Sequence, residues 1–288
     1  MKDLYIEINE TYDLNNNINF ENEYVCINNG IIKGLKEGSF SFENLTINVV
    51  KENALSDSFE LSYGRLSNKN LLVLGDSVSA QATIGNNKTY STLLKEALNI
   101  NILHNAAIGG TTLTYMYEGS NIDKEYHNHE VAIDGCRVVS RLAVDNKLKD
   151  FDYAIIAYGH NDQFFKPEVE QENTDINYLE QCKSYKASFR FIINTLRKHN
   201  PNIRIIVLNC TYSEYDIASV SPYGTKYNYL SYRNASKEIA SEYKLKYIDP
   251  WDYMKPYSDY QTDKYYYQDC VHISPNGHKV LFEFLLNK

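Results

Sequence analysis

The run Leu71-Leu72-Val73-Leu74, closed by Gly75 and followed by Asp76-Ser77-Val78-Ser79, constrains this chain more than any other stretch. Four apolar residues in a row offer no polar face to solvent, so they fit a strand covered on both sides. Such a strand needs helices above and below a largely parallel sheet, and the chain from Lys69 onward supplies both. The strands are expected at residues 70–74, 101–104, 153–157, 203–208 and 245–248. Helical spacing is expected over 90–98, 131–148, 230–243 and 277–286, and Leu179, Cys182, Phe189, Ile192, Ile193 and Leu196 mark a further helix that Asn200-Pro201 would stop.

Residues 1–66 read differently. Tyr24 to Ile27, Ser39 to Phe42 and Leu45 to Val50 are short β-branched or aromatic runs separated by Asn-Asn-Gly and Glu-Gly turn signals. They predict a small β-rich appendage, too short for confident independent stability and expected to pack on the main domain of residues 67–288.

Composition then narrows the function classes. A net charge of −8, without long runs of one sign, argues against nucleic acid or an anionic membrane as the main partner. No stretch of 18 apolar residues occurs, and the first seven residues carry acids where a secretory leader has its apolar core, so the sequence reads as cytoplasmic unless a signal has been removed. Five scattered cysteines without Cys-x-x-Cys spacing suggest reduced thiols, with neither a disulfide framework nor a zinc site. Of 26 tyrosines, fourteen fall between Tyr212 and Tyr267, a bias that fits packing or flat faces for a polar ligand.

Ser77 stands just past the carboxyl end of a central strand, the edge at which open α/β sheets bind ligands. After the second strand, Asn105-Ala106-Ala107-Ile108-Gly109-Gly110-Thr111-Thr112 is a small-residue loop whose backbone N–H groups can approach a substrate oxygen. After the third comes Gly159-His160-Asn161-Asp162, with an amide side chain at the same edge. Asp269-Cys270-Val271-His272 precedes the last helix. Together they compose one chemistry. Ser77 is the nucleophile, His272 its base, and Asp269, three residues earlier on a turn, the carboxylate that fixes the imidazole. The N–H groups of Ser77 and Gly110 and the amide of Asn161 are the oxyanion donors.

These four blocks, in this order, resemble the signature blocks of the SGNH hydrolases, the GDSL esterase/lipase superfamily, over about residue 70 to the carboxyl end. The resemblance implies a flavodoxin-like three-layer α/β/α sandwich around a mostly parallel five-stranded sheet. It also implies hydrolysis of an acyl ester through a serine-bound intermediate, with no metal and no organic cofactor, and the same five residues in the same roles. Val78 replaces the leucine of the family's second name, and Ala107 takes a place often held by glycine or serine. Residues 1–66 match nothing in the core pattern.

Other residues have plainer readings. His127 and His129 fit a hydrated loop, since no third ligand is spaced to join them. His278 is structural, and Cys270 is a packing residue. A metallophosphoesterase is set aside, because Gly159-His160-Asn161-Asp162 lacks its Gly-Asn-His order. The loops 163–177, 211–228 and 249–268 are rich in Tyr, Asp, Ser and Lys, without an extended apolar lid. They point to a small acyl group, acetyl foremost, on a polar small molecule or glycan, with Tyr215, Tyr223, Tyr257 and Trp251 as sugar-stacking faces. A lysophospholipase or thioesterase of the same superfamily, and a flavodoxin-like binding module without catalysis, are the alternatives. Oligomeric state is left open.

Overall fold

The computed structural model describes the chain apart from residues 1, 8–10, 14–19, 29–30, 37, 43–44, 51–65, 81–87, 122–133, 172–175, 177, 219–221, 224–225 and 262–263. Its amino-terminal part holds β1 (Lys2–Glu7), β2 (Thr11–Asp13), β3 (Phe20–Glu21), β4 (Val25–Asn28), β5 (Ile31–Gly34), β6 (Gly38–Phe42) and β7 (Leu45–Val50). The order β2-β5-β4-β3 makes an antiparallel sheet; in a second sheet, β1-β7-β6, β1 runs parallel to β7. Val25, Ile27, Ile32, Ile47 and Val49 form a buried cluster with Tyr24 and Phe40 against it.

The larger part is a parallel sheet of β8 (Asn70–Gly75), β9 (Ile102–Asn105), β10 (Tyr153–Ala157), β11 (Arg204–Leu208) and β12 (Lys246–Ile248), in the order β12-β11-β10-β8-β9. That is the flavodoxin-like order, with its switch point beside the first strand. Side chains of a strand alternate between faces, and here both faces are covered. Leu72, Leu74, Ala154, Ile156, Ile205 and Val207 pack under α2 (Gly135–Val144), α4 (Tyr185–His199) and α6 (Tyr229–Glu242). Leu71, Val73, Tyr153, Ile155, Ile206 and Leu208 pack under α1 (Tyr90–Ala97), α7 (Trp251–Met254) and α8 (Pro275–Leu285). Each fully buried Leu or Ile contributes about 1.5–3 kcal/mol.

Each of the five parallel strands lies within one residue of its expected bounds. The helix expected over 131–148 is shorter: Asp134 accepts the N–H of Arg137 and caps α2, which ends at Val144, and residues 131–133 lie outside the described set. The loops read as irregular contain short helices, α3 (His160–Phe165), α5 (Glu214–Ala218) and α7, too brief for a sequence period to reveal.

Candidate active site

Register brings the site together. Gly75 pairs with Ala157, so Ser77 and Gly159 each stand two residues beyond the paired end of neighbouring central strands. The loop after β9 continues along the same strand, with Ala106 N–H donating to Val73 O and Ile108 N–H to Gly75 O. A side chain at Gly109 would begin 3.8 Å from Ser77 Cβ, so this loop lies against the serine. Gly110 follows with φ +79°, a conformation that glycine adopts without strain.

Ser77 Oγ lies 2.9 Å from His272 Nε2, and His272 Nδ1 lies 2.8 Å from Asp269 Oδ2. The other oxygen of Asp269 accepts the N–H groups of Val271 and His272 at 2.8 and 2.7 Å, which makes the Asp-x-x-His spacing a self-capped turn. Partial burial pushes the Asp269 carboxyl up, but the His272 N–H, the His272 ring and the Val271 N–H together bring it below its ordinary value. A hydrogen on Nδ1 donates to this carboxylate and leaves Nε2 as the acceptor for the serine hydroxyl. Asn161, in the first turn of α3, donates from Nδ2 to Thr111 O at 3.0 Å, and an amide nitrogen carries a second hydrogen. The five predicted residues therefore occupy one end of the sheet.

Two supporting contacts were not read from the sequence. Asp162 is fully buried and accepts from the N–H groups of Leu113 and Thr114 and from the Thr114 hydroxyl, tying α3 to the loop that carries Gly110. Asn105 donates to Ser79 O at 2.7 Å and accepts from Ala107 N–H, tying that loop to the serine turn. Both lie inside blocks already singled out, yet their partners are 49 and 26 residues away, beyond what local spacing encodes.

A sequence model of the GDSL-like lipase/acylhydrolase family matches residues 73–280. The chain belongs to that family. No curated protein matches it. Among solved structures, the GDSL-like chain is similar to a protein from Lactobacillus plantarum, at 17% identity and TM-score 0.55 over 77% of this chain and 96% of that one. A possible lipase from Chitinophaga pinensis is 14% identical, with TM-score 0.50 over 76% and 96%. An acetylxylan esterase from Geobacillus stearothermophilus is 17% identical, with TM-score 0.47 over 76% and 93%, too low to bear on activity. The first two likenesses carry the fold, and the family carries the reaction class. This GDSL-like protein is a carboxylic ester hydrolase.

The remaining candidates separate. Trp251 is not a sugar-stacking face: it is 4% exposed, stacked on Tyr229 at 4.9 Å with the Arg233 guanidinium 4.5 Å from its ring centroid. Tyr257 packs edge-on to Tyr266. Tyr215 and Tyr223 join Phe164 in an aromatic group on and beside α3. Burial, then the charges of Cys270 and Asp216, push the Tyr215 phenol up. Burial and Asp269 push the Cys270 thiol up, away from the thiolate a nucleophile needs. His278 is fully buried in α8, where its Nδ1 accepts the N–H of Tyr90 at 3.2 Å, a structural role. His127 and His129 lie outside the described residues. Among those described, no group of three or more His, Cys, Asp or Glu side chains could hold a metal ion, and no helix is long and apolar enough to cross a membrane.

Proposed function

We propose that this esterase removes a small acyl group, acetyl foremost, from a polar substrate such as a glycan, through an acyl-enzyme on Ser77. The observation that carries the reading is the unbroken relay from Ser77 Oγ through His272 to Asp269, at 2.9 and 2.8 Å. His272 Nε2 takes the serine proton as Oγ attacks the carbonyl carbon. The N–H groups of Ser77 and Gly110 and the Asn161 amide hold the oxyanion, each worth about 10²- to 10³-fold in rate. His272 then protonates the leaving alkoxide, and a water, deprotonated by the same nitrogen, releases the acid.

The size and polarity of the substrate are argued from the rim. The side chains of His272 and Asp269 are 35% and 51% exposed, so the relay sits at the surface, open to an acyl group borne on a large polar molecule. The surrounding loops carry Tyr, Asp, Ser and Lys. The same reading divides the chain near residue 66, with the hydrolase in residues 67–288 and residues 1–66 as an appendage.

The test is p-nitrophenyl acetate and octanoate hydrolysis by the wild type and by Ser77→Ala, beside acetate release from acetylated oligosaccharides. Loss of several orders of magnitude in the variant, with acetate released from the sugars, is expected. Equal rates in the two proteins refute the role of Ser77. Octanoate turnover far above acetate, with inert acetylated sugars, refutes the substrate class and favours a lysophospholipase or thioesterase.

A further inference from the structure

Behind the serine turn lies a second histidine–carboxylate pair that the proposed chemistry leaves unused. His160 is 6% exposed, and its Nδ1 lies 2.7 Å from Oδ2 of Asp216, itself buried on α5. Its Nε2 lies 3.3 Å from Oγ1 of the buried Thr211. Burial pushes the imidazole down, but the charge and hydrogen bond of Asp216, with Asp76 behind them, outweigh it and leave His160 above its ordinary value. A buried pair of this kind stabilises a fold little more than apolar side chains of the same volume would, so its presence points toward the site.

Between this pair and the serine turn is a cavity with room of about 20 Å³, lined in part by Asp76, Ser79, Tyr90, His160, Asn209 and Thr211. About 10–15 Å³ of such room, with two to four polar partners, holds a water. The partners include an unsatisfied one. Asp76 is 1% exposed; Oδ1 accepts the Val78 N–H at 3.0 Å, and Oδ2 has no hydrogen-bond partner. Asp76 also carries the turn itself, because its carbonyl accepts the N–H groups of Ser79 and Ala80 at 3.1 and 3.0 Å. Whatever anchors its carboxylate anchors Ser77 beside it.

We propose that His160 is a positioning residue for acyl transfer: with Asp216 it fixes Thr211, and one water held in the cavity between Thr211 Oγ1 and Asp76 Oδ2 gives that carboxylate oxygen its donor and locks the serine turn. The inference rests on the esterase reading of Ser77. It predicts that Thr211→Val, which keeps the side-chain shape and removes the hydroxyl, lowers kcat for p-nitrophenyl acetate by about 10- to 10²-fold, as small misplacements of a reacting group do, with KM within about twofold. Thr211→Ser restores kcat. His160→Leu lowers it similarly, and the double variant falls no further than the worse single one, because both act through one chain. A crystal structure of the wild type that resolves ordered water supplies the reading independent of folding and of activity, and a water within hydrogen-bond distance of both atoms is expected. A cavity without it, an unchanged kcat in Thr211→Val, or additive losses overturn the proposal while Ser77-dependent hydrolysis stands. A wild type no faster than Ser77→Ala sinks the esterase reading and the proposal with it.

Discussion

Acid should loosen this protein through His278, and the size of the effect can be worked from its surroundings. The ring is fully buried in α8, and its Nδ1 accepts the Tyr90 N–H, a bond that only an unprotonated Nδ1 can make. Burial holds the imidazole down at about 4, against 6.5 for the exposed side chain. The unfolded chain therefore binds this proton more readily than the fold does. Stability that is complete above pH 6.5 is lost as pH falls toward 4, in the direction set by proton linkage. Over that interval, at about 1.4 kcal/mol per pH unit, the loss reaches about 3 kcal/mol, a large part of the 5–15 kcal/mol typical of a domain. The assay is urea unfolding at intervals from pH 7 to pH 4 on the wild type and on His278→Asn, which keeps an acceptor near Nδ1 without a titratable ring. The wild type should lose about 3 kcal/mol more than the variant between the two ends. Parallel curves for the two proteins would refute the argument, whatever their common slope.

Three further outcomes follow from the site. Asn161→Ala should lower kcat by about 10²- to 10³-fold with little change in KM, measured on p-nitrophenyl acetate, if its amide acts chiefly on the oxyanion. Asp269→Asn should lower kcat by up to about 10⁴-fold through the wrong imidazole tautomer, while leaving the melting temperature near that of the wild type, since the half-exposed carboxylate belongs to a surface turn. Gly159→Ala should cost about 1–3 kcal/mol of stability in urea unfolding, because the glycine holds φ +143° and an added Cβ would lie 2.5 Å from Cys210 Sγ.

Legibility in the sequence followed the range of the interaction. The five strands could be read because parallel strands covered on both faces are written as continuous apolar runs, as in Leu71 to Leu74 and Tyr153 to Ala157. The relay could be read because Asp269 and His272 share one turn and Ser77 follows a strand, both local patterns. His160 and Asp216, 56 residues apart, carry no spacing signal that announces their pairing. Trp251 went astray for a related reason: an indole near the site suits a ligand or a core equally well, and only Tyr229, Tyr212 and Arg233 closing around it decide. In the amino-terminal part, β1 escaped notice because its pairing partner, β7, lies some forty residues on.

Ser77 and His272, the proposed nucleophile and its base, are 195 residues apart along the chain, one just past the first strand of the parallel sheet and the other on the turn that leads into α8. During synthesis the nucleophile leaves the ribosome long before the group that would activate it. A growing chain therefore carries an inert serine until the last helix settles against α1, where His278 meets Tyr90. A protease cut in the loops between β11 and α8 that freed this helix should silence the enzyme while sparing most of the sheet. Reassembly of the two fragments, read as returning ester hydrolysis, would then report directly on the docking of α8.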